Sequence, residues 1–452
     1  MAAARNTAWE VADRLSDPLH VAEIAARAAA NAPGDLMLPG WQPASLMLGH
    51  AGITLLHTRC ARDEEQRAAI AHAHLSAAVA SITRADQAIA GDVYLPAQLH
   101  AHTFGGYARL LSRSAEVHAS YATAYTARLA ARMAEQPGSG LSYADYDALA
   151  GLAGQGRTLL LAAQHGHEPA AEALNRVLDR LVALTRPVTV AGTVVPGWWC
   201  APEQYVVPQD RNTFPRGDFN VGAAHGICGP LALLALAQRA GFAVPDTAEA
   251  VHRVTDWLMS WKHTDEWGGY WPSRIPYEQE TTAARSSCPV PPARPGWCYG
   301  TAGVAGTLHL AARTLDEPTV AAHALDALRA AFHRPLTADV AEDPGFCHGR
   351  AGMLHAAVRI AEVTGDAELW AAATDEARTL IEAFDPRTPF GFQQLVRSGR
   401  GTVRLDAPGV VDGAAGTALA LLTYADAYAR TDPAHTAADA GQADWDAAFL
   451  MT

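Results

Sequence analysis

One short unit recurs through this chain: Gly-x-x-Gly followed by an apolar, alanine-rich run. It appears as GHAG (Gly49 to Gly52), GLAG (Gly151 to Gly154), GICG (Gly226 to Gly229), GTAG (Gly300 to Gly303), GRAG (Gly349 to Gly352) and GAAG (Gly413 to Gly416). Successive starts lie 102, 75, 74, 49 and 64 residues apart. A degenerate copy at Gly105 and Gly106, in FGGYARLL, divides the widest gap and brings the count to seven. Repeats of this period indicate stacked supersecondary units, and each interval is long enough for two helices.

The two helices of a unit differ in kind. Runs that follow the glycines, such as PLALLALA from Pro230, are apolar on nearly all faces, which marks a buried helix. Between the motifs lie amphipathic helices with start signals. Asp246 and Glu249 resemble a capping box before Val251, Val254 and Leu258. Asp366 starts another, with Leu369, Trp370, Ala373, Ala377 and Leu380 on one side. The expected fold is all-α: seven inner and seven outer helices closed into an α/α barrel, one domain over residues 1–452. Residues 188–220 interrupt the pattern with VTVAGTVV, the pair Trp198–Trp199 and several Pro and Gly, predicting a short strand pair and a long loop. After Thr431 the composition is that of a disordered segment, but Trp445, Phe449 and Leu450 offer a small apolar face that can dock.

Composition excludes some functions. The net charge is −13, without the basic stripe that nucleic acid selects. Glu10 and Asp13 near the start, with no apolar stretch between charges, argue against a signal peptide, so the expected location is cytoplasmic. The longest uncharged run, Phe219 to Gln238, holds Asn220, His225 and Pro230, and reads as a buried helix with its lead-in loop, not a membrane span. The six cysteines (Cys60, Cys200, Cys228, Cys288, Cys298, Cys347) are scattered, which disfavours a disulfide framework and favours metal or catalytic roles.

Three motifs carry chemistry at the same relative place. His225 directly precedes GICG, Cys298 precedes GTAG by two positions, and Cys347–His348 directly precede GRAG. Equivalent units around a ring would bring these residues together at one mouth. Two thiols and one imidazole suit Zn²⁺ and leave one tetrahedral position open, as in catalytic sites. On spacing alone the alternative is that both cysteines are ordinary small core residues.

AAHGICG, WCYGTAG and CHGRAG, in this order on a Gly-x-x-Gly repeat, resemble the motifs of the lanthionine synthetase C family, the LanC-like cyclases, over nearly the whole chain. The resemblance implies a seven-fold α/α toroid with one zinc per chain, held by Cys298, Cys347 and His348. It implies catalytic parts for His225 and for Asp147, in DYDALAGLAG, and it matches Arg294 and Tyr299, in RPGWCYG, to positions near the site. The implied activity joins peptide cysteine thiols to dehydroalanine or dehydrobutyrine, forming (methyl)lanthionine. The implied substrate is a dehydrated precursor peptide. A dehydratase and an exporter are further implied partners, through which the protein would sit peripherally at a membrane.

The chain departs from the pattern at Cys228, where the family usually has proline. This thiol is expected in the core, with a further metal sulfur as the other reading. His50 and His355, beside glycine motifs, are expected to satisfy helix-end hydrogen bonds. Asp412 is expected to cap an inner helix, and Asp147 has the same alternative. Trp198–Trp199 either line a peptide groove or pack under the loop. Two rival functions remain: a catalytically silent scaffold of the same fold, and an α/α-barrel glycosidase, which would need paired carboxylates.

Overall fold

The computed structural model describes the chain except residues 34–39, 83–89, 137, 283–290, 337–341, 399–400, 431–443 and 452. The predicted disordered stretch after Thr431 and Cys288 fall largely or wholly outside the described residues. Helices dominate. In chain order they begin with α1 (Ala2–Arg14), α2 (Pro18–Asn31), α3 (His50–Ala61), α4 (Arg67–Ser81), α5 (Tyr94–Phe104), α6 (Ala108–Glu135), α7 (Leu152–Gln164) and α8 (Glu168–Leu184). There follow α9 (Asp210–Thr213), α10 (Cys228–Arg239), α11 (Thr247–Ser260), α12 (Tyr277–Glu280), α13 (Thr301–Leu315) and α14 (Pro318–His333). The last three are α15 (Arg350–Thr364), α16 (Ala367–Glu382) and α17 (Ala414–Arg430).

Inner and outer helices are recognisable from burial. The helices that follow Gly-x-x-Gly (α3, α7, α10, α13, α15 and α17) are buried along most of their length. Their partners bury one stripe. In α8 the buried residues include Ala170, Ala173, Leu174, Val177, Leu178 and Leu181, the 3–4 spacing of an amphipathic helix. The pairs are α3 with α4, α7 with α8, α10 with α11, α13 with α14, and α15 with α16. The last inner helix, α17, has no outer helix after it among the described residues. It packs against α1, brought from the start of the chain, and Arg5 and Arg59 both bind Asp426 of α17.

Contacts group the chain into two compact units. The first holds residues 1–114, 295–297 and 335–445. Within it the inner helices neighbour one another in the order α15, α17, α3, α5. The second holds residues 115–294, 298–334 and 446–452, with inner helices in the order α7, α10, α13. It also carries β1 (Val188–Val190) paired with β2 (Thr193–Val195), β3 (Asp218–Asn220) paired with β6 (Arg274–Pro276), and between these last two the hairpin of β4 (His263–Asp265) and β5 (Gly268–Tyr270). The expected strand pair is present. Trp198 and Trp199 pack under the loop: both are buried, Trp198 meets Trp257 edge-on, and Trp199 donates to the Arg216 carbonyl.

The glycine motif has a steric cause. Before four inner helices, α3, α7, α15 and α17, the loop folds back over the helix's first turn, where only hydrogen fits. A Cβ on Gly52, Gly154, Gly352 or Gly416 would lie 2.3, 2.5, 2.0 or 1.8 Å from the carbonyl oxygen six residues earlier, at Leu46, Ala148, Phe346 or Val410.

Three local expectations need correction. Gly105 and Gly106 do not open an inner helix. They form the turn after α5, with φ of 76° and 90°, and the second inner helix is α5 itself, entered from a single glycine, Gly91, without the Gly-x-x-Gly motif. Leu110 and Leu111 of α6 pack on the cluster that includes Ala97 of α5, which supplies the seventh pair. The Asp246–Glu249 capping box is not made: Asp246 is left-handed (φ 62°), and its carboxylate pairs with Arg186. Asp366 does cap α16, accepting from Leu369 N–H. His50 bonds another histidine: its Nδ1 lies 3.0 Å from His74 Nδ1. The Leu15 carbonyl accepts from Nε2 of both His57 and His74. His74 Nδ1 is then a bare acceptor in the neutral ring, so His50 Nδ1 carries the proton. His355 is buried against the rings of Phe346 and Trp445. The terminal apolar face docks as expected, with Trp445, Phe449 and Leu450 all buried.

The glycine account predicts opposite outcomes for two alanine substitutions. Gly416→Ala drives a Cβ into the Val410 carbonyl and costs roughly 3 kcal/mol, as overpacking does. Gly306→Ala, in α13 with nothing within 4 Å of its Cβ position, stabilises by about 0.5–1 kcal/mol through helix propensity. Urea midpoints of the two variants check the contrast.

Candidate metal centre and acid–base pair

The loop before α15 presents Cys347 and His348. Cys347 N–H donates to the Val411 carbonyl (2.7 Å), and Arg350 N–H to that of Asp343 (2.9 Å). Asp343 is buried; one carboxylate oxygen accepts from Gly345 N–H, and the other lies 3.9 Å from His348 Nε2. Asp412 Oδ1 lies 3.6 Å from the same nitrogen. Two carboxylates thus flank one edge of the ring. Gly296 packs on this loop: its Cβ position lies 2.7 Å from His348 Cα and 3.1 Å from the Cys347 carbonyl oxygen. Cys298 follows two residues later.

The ligand atoms of Cys298, Cys347 and His348 all lie within 4.8 Å of one another. Tetrahedral zinc, with Zn–S ~2.3 Å and Zn–N ~2.0 Å, places such atoms roughly 3.3–3.8 Å apart. Small side-chain adjustments reach that spacing, so the donor set and its geometry fit a zinc ion. Cys228 does not belong to this group. It is fully buried at the start of α10, and burial pushes its thiol pKa far up, as for an inert core cysteine. Among the described residues no other histidine, cysteine or carboxylate joins the group.

The loop before α10 lies flat on Cys298 and Tyr299. Ala224 N–H donates to the Cys298 carbonyl (3.1 Å), and a Cβ on Gly222 would sit 2.5 Å from that oxygen. The loop delivers His225, whose Nδ1 is 2.7 Å from Asp147 Oδ2. A carboxylate only accepts, so Nδ1 is the donor and Nε2 is left for chemistry. Asp147 is buried while His225 is about a third exposed, at 3% and 31% of the side chain. The other Asp147 oxygen accepts from the N–H groups of Leu149, Ala150 and Gly151 (3.1, 2.8 and 2.7 Å). One Asp147 oxygen therefore caps the turn into α7, and the other orients the imidazole.

Burial pulls the His225 pKa down. The hydrogen bond and charge of Asp147, with the nearby Cys298, outweigh it and hold the pKa above 6.5. Tyr299 has its ring centroid 6.2 Å from that of His225, and burial raises its phenol. Arg294 is exposed on the irregular segment that leads to Cys298.

Sequence reading missed two neighbours. Tyr143 stands against His225 with ring centroids 5.1 Å apart. Asn220 donates to the Tyr299 hydroxyl (3.3 Å), accepts from Gly222 N–H through its side chain, and accepts from Ile227 N–H through its carbonyl. Its signal was visible: a lone amide inside the uncharged run from Phe219. Behind it, Arg274 bonds buried Asp218 through two nitrogens and Asp210 through a third, fixing β3 against β6.

The chain belongs to the lanthionine synthetase C-like family, whose sequence model matches residues 40–434. Among solved structures, nisin cyclase matches with a TM-score of 0.70 and 16% sequence identity, covering 96% of each chain. The likeness bears out the all-α fold class read from the repeats. A comparison with curated proteins gives no match. No described helix is long and apolar enough to cross a membrane.

The pair has a titration consequence. A pKa raised on folding stabilises the fold fully below the ordinary value of 6.5, and the contribution is lost as pH rises through the raised pKa. Asp147→Asn keeps a cap oxygen but removes the charge, so His225 then titrates at lower pH than in the wild type. Histidine NMR titration of the two proteins measures the difference.

Proposed function

We propose that the chain is a zinc-dependent lanthipeptide cyclase, carried by one observation: a two-sulfur, one-imidazole group beside an oriented His–Asp pair. The reaction adds a peptide cysteine thiol across the double bond of dehydroalanine or dehydrobutyrine in the same peptide. A bond forms from sulfur to the β-carbon, the thiol loses its proton, and the α-carbon gains one, so composition is unchanged. Cys298, Cys347 and His348 hold the metal. Zinc, when bound, supplies the positive charge that keeps a thiol of ordinary pKa ~8.5 ionised at neutral pH.

The chain's own groups handle the other proton. His225 in its acid form protonates the α-carbon from Nε2, while Asp147 holds Nδ1 and keeps the imidazolium populated above the ordinary histidine pKa. Tyr299, held by Asn220, and Arg294 assist where negative charge develops on the carbonyl oxygen. Flanking by Tyr143 and Tyr299 limits water at the imidazole. A dehydrated precursor peptide is the substrate, and a dehydratase and an exporter are the further partners the family suggests.

A dehydrated peptide with free cysteines tests this reading. The protein should remove its titratable thiols without changing its mass. His225→Asn should keep fold and metal while slowing that loss by roughly 10²–10⁴-fold, the usual contribution of an acid–base group. A wild-type protein that binds the peptide but leaves its thiols intact is a scaffold, and an unchanged rate in the variant removes His225 from the chemistry.

A further inference from the structure

A cavity of about 250 Å³ lies in the first unit, outside the groups described so far. One wall is the face of α2 that carries Ala25, Ala28 and Ala29; Trp41 and Leu405 contribute others. On this wall the helix presents only methyl groups. An apolar cavity of about 150 Å³ already admits benzene, so this one accepts a leucine, methionine or phenylalanine side chain. Gln394, Asp406 and Asp412 add polar groups to the lining, and the last of these ties the cavity to the metal group. Asp412 is among the residues that line the cavity, and its Oδ1 stands 3.6 Å from His348 Nε2. The cavity therefore begins one side chain away from a proposed zinc ligand. Successive residues of an extended peptide advance roughly 3.3–3.8 Å, so a residue adjacent to a cysteine at the metal lies within reach.

We propose that this cavity is a specificity subsite for an apolar side chain of the peptide substrate, next in sequence to the reacting cysteine. The proposal rests on the cyclase reading. A mostly apolar lining with a few polar residues, here Gln394, Asp406 and Asp412, is what a side-chain pocket requires. A hydrophobic pocket discriminates by about 10–200-fold for small changes in side-chain size.

Two variants and two readouts test it. Peptides identical except for leucine or glycine beside the cysteine are compared for binding, by fluorescence anisotropy, and for cyclisation. In the wild type the leucine peptide binds at least about tenfold more tightly than the glycine peptide. Ala28→Leu fills the cavity and abolishes that preference through Kd and KM, with kcat, zinc content and glycine-peptide binding unchanged. Leu405→Ala enlarges the cavity and shifts preference toward a tryptophan peptide, which keeps the proposal testable should the filled variant misfold. Equal binding of leucine and glycine peptides by the wild type overturns the subsite. So does a loss in Ala28→Leu that is the same for both peptides. Anisotropy separates this from the cyclase reading: a side-chain preference in binding without thiol loss keeps the subsite and rejects the cyclase.

Discussion

The close approach of each lead-in loop to the first turn of its inner helix is the constraint from which the rest follows. A helix start has four N–H groups without helical partners, and a loop that doubles back over it can satisfy some of them. The fold does this repeatedly, at the cost of any side chain on the second glycine of the motif. The consequence is positional. Residues just before the glycines are pinned on a rigid helix end, not left on a free loop. His225, Cys298, Cys347 and His348 all occupy such places, and Asp147 uses three N–H groups of its own turn to lock its carboxylate. Chemistry that needs placement within a fraction of an ångström is built where the backbone has least freedom.

The electrostatics at the site show how burial and pairing compete. Burial alone drives histidines toward neutrality, and His50, His57 and His74 are lowered to about 4, 4 and 3. They serve as neutral hydrogen-bonding rings that tie α3 and α4 to the end of α1. His225 feels the same penalty, but one carboxylate reverses the outcome. Residue type is the same in the two places, and the presence of an acceptor with a full negative charge decides the role. Cys228 and the metal-group cysteines make a parallel contrast: the first is sealed in apolar surroundings, while Cys347 is partly exposed beside an imidazole.

Much of this was legible in the sequence, because the motif and the packing that requires it are local. The inner helices after Gly49, Gly151, Gly349 and Gly413 share one six-residue contact, and those after Gly226 and Gly300 follow from the same motif and the apolar run behind it. What escaped is what depends on distant chain. The inner helix α5 has no glycine signature, so Gly105 and Gly106 were misread, although they only end it. The outer partner of α17 comes from the N-terminus, which no local pattern announces. Asn220 and Tyr143 act through residues 79 and 82 positions away in sequence, Tyr299 and His225 respectively. The capping box at Asp246 failed because its carboxylate is engaged by Arg186 across the loop.

The central claim is a catalytic zinc held by three protein ligands. X-ray absorption at the zinc edge of the purified protein, with elemental analysis, measures it most directly. The account predicts one zinc per chain, with two protein sulfurs at about 2.3 Å and one imidazole nitrogen at about 2.0 Å, and loss of most of that zinc in Cys347→Ala. Full zinc retention in Cys347→Ala, or a resting spectrum with three or four protein sulfurs that loses one in Cys228→Ala, would contradict it.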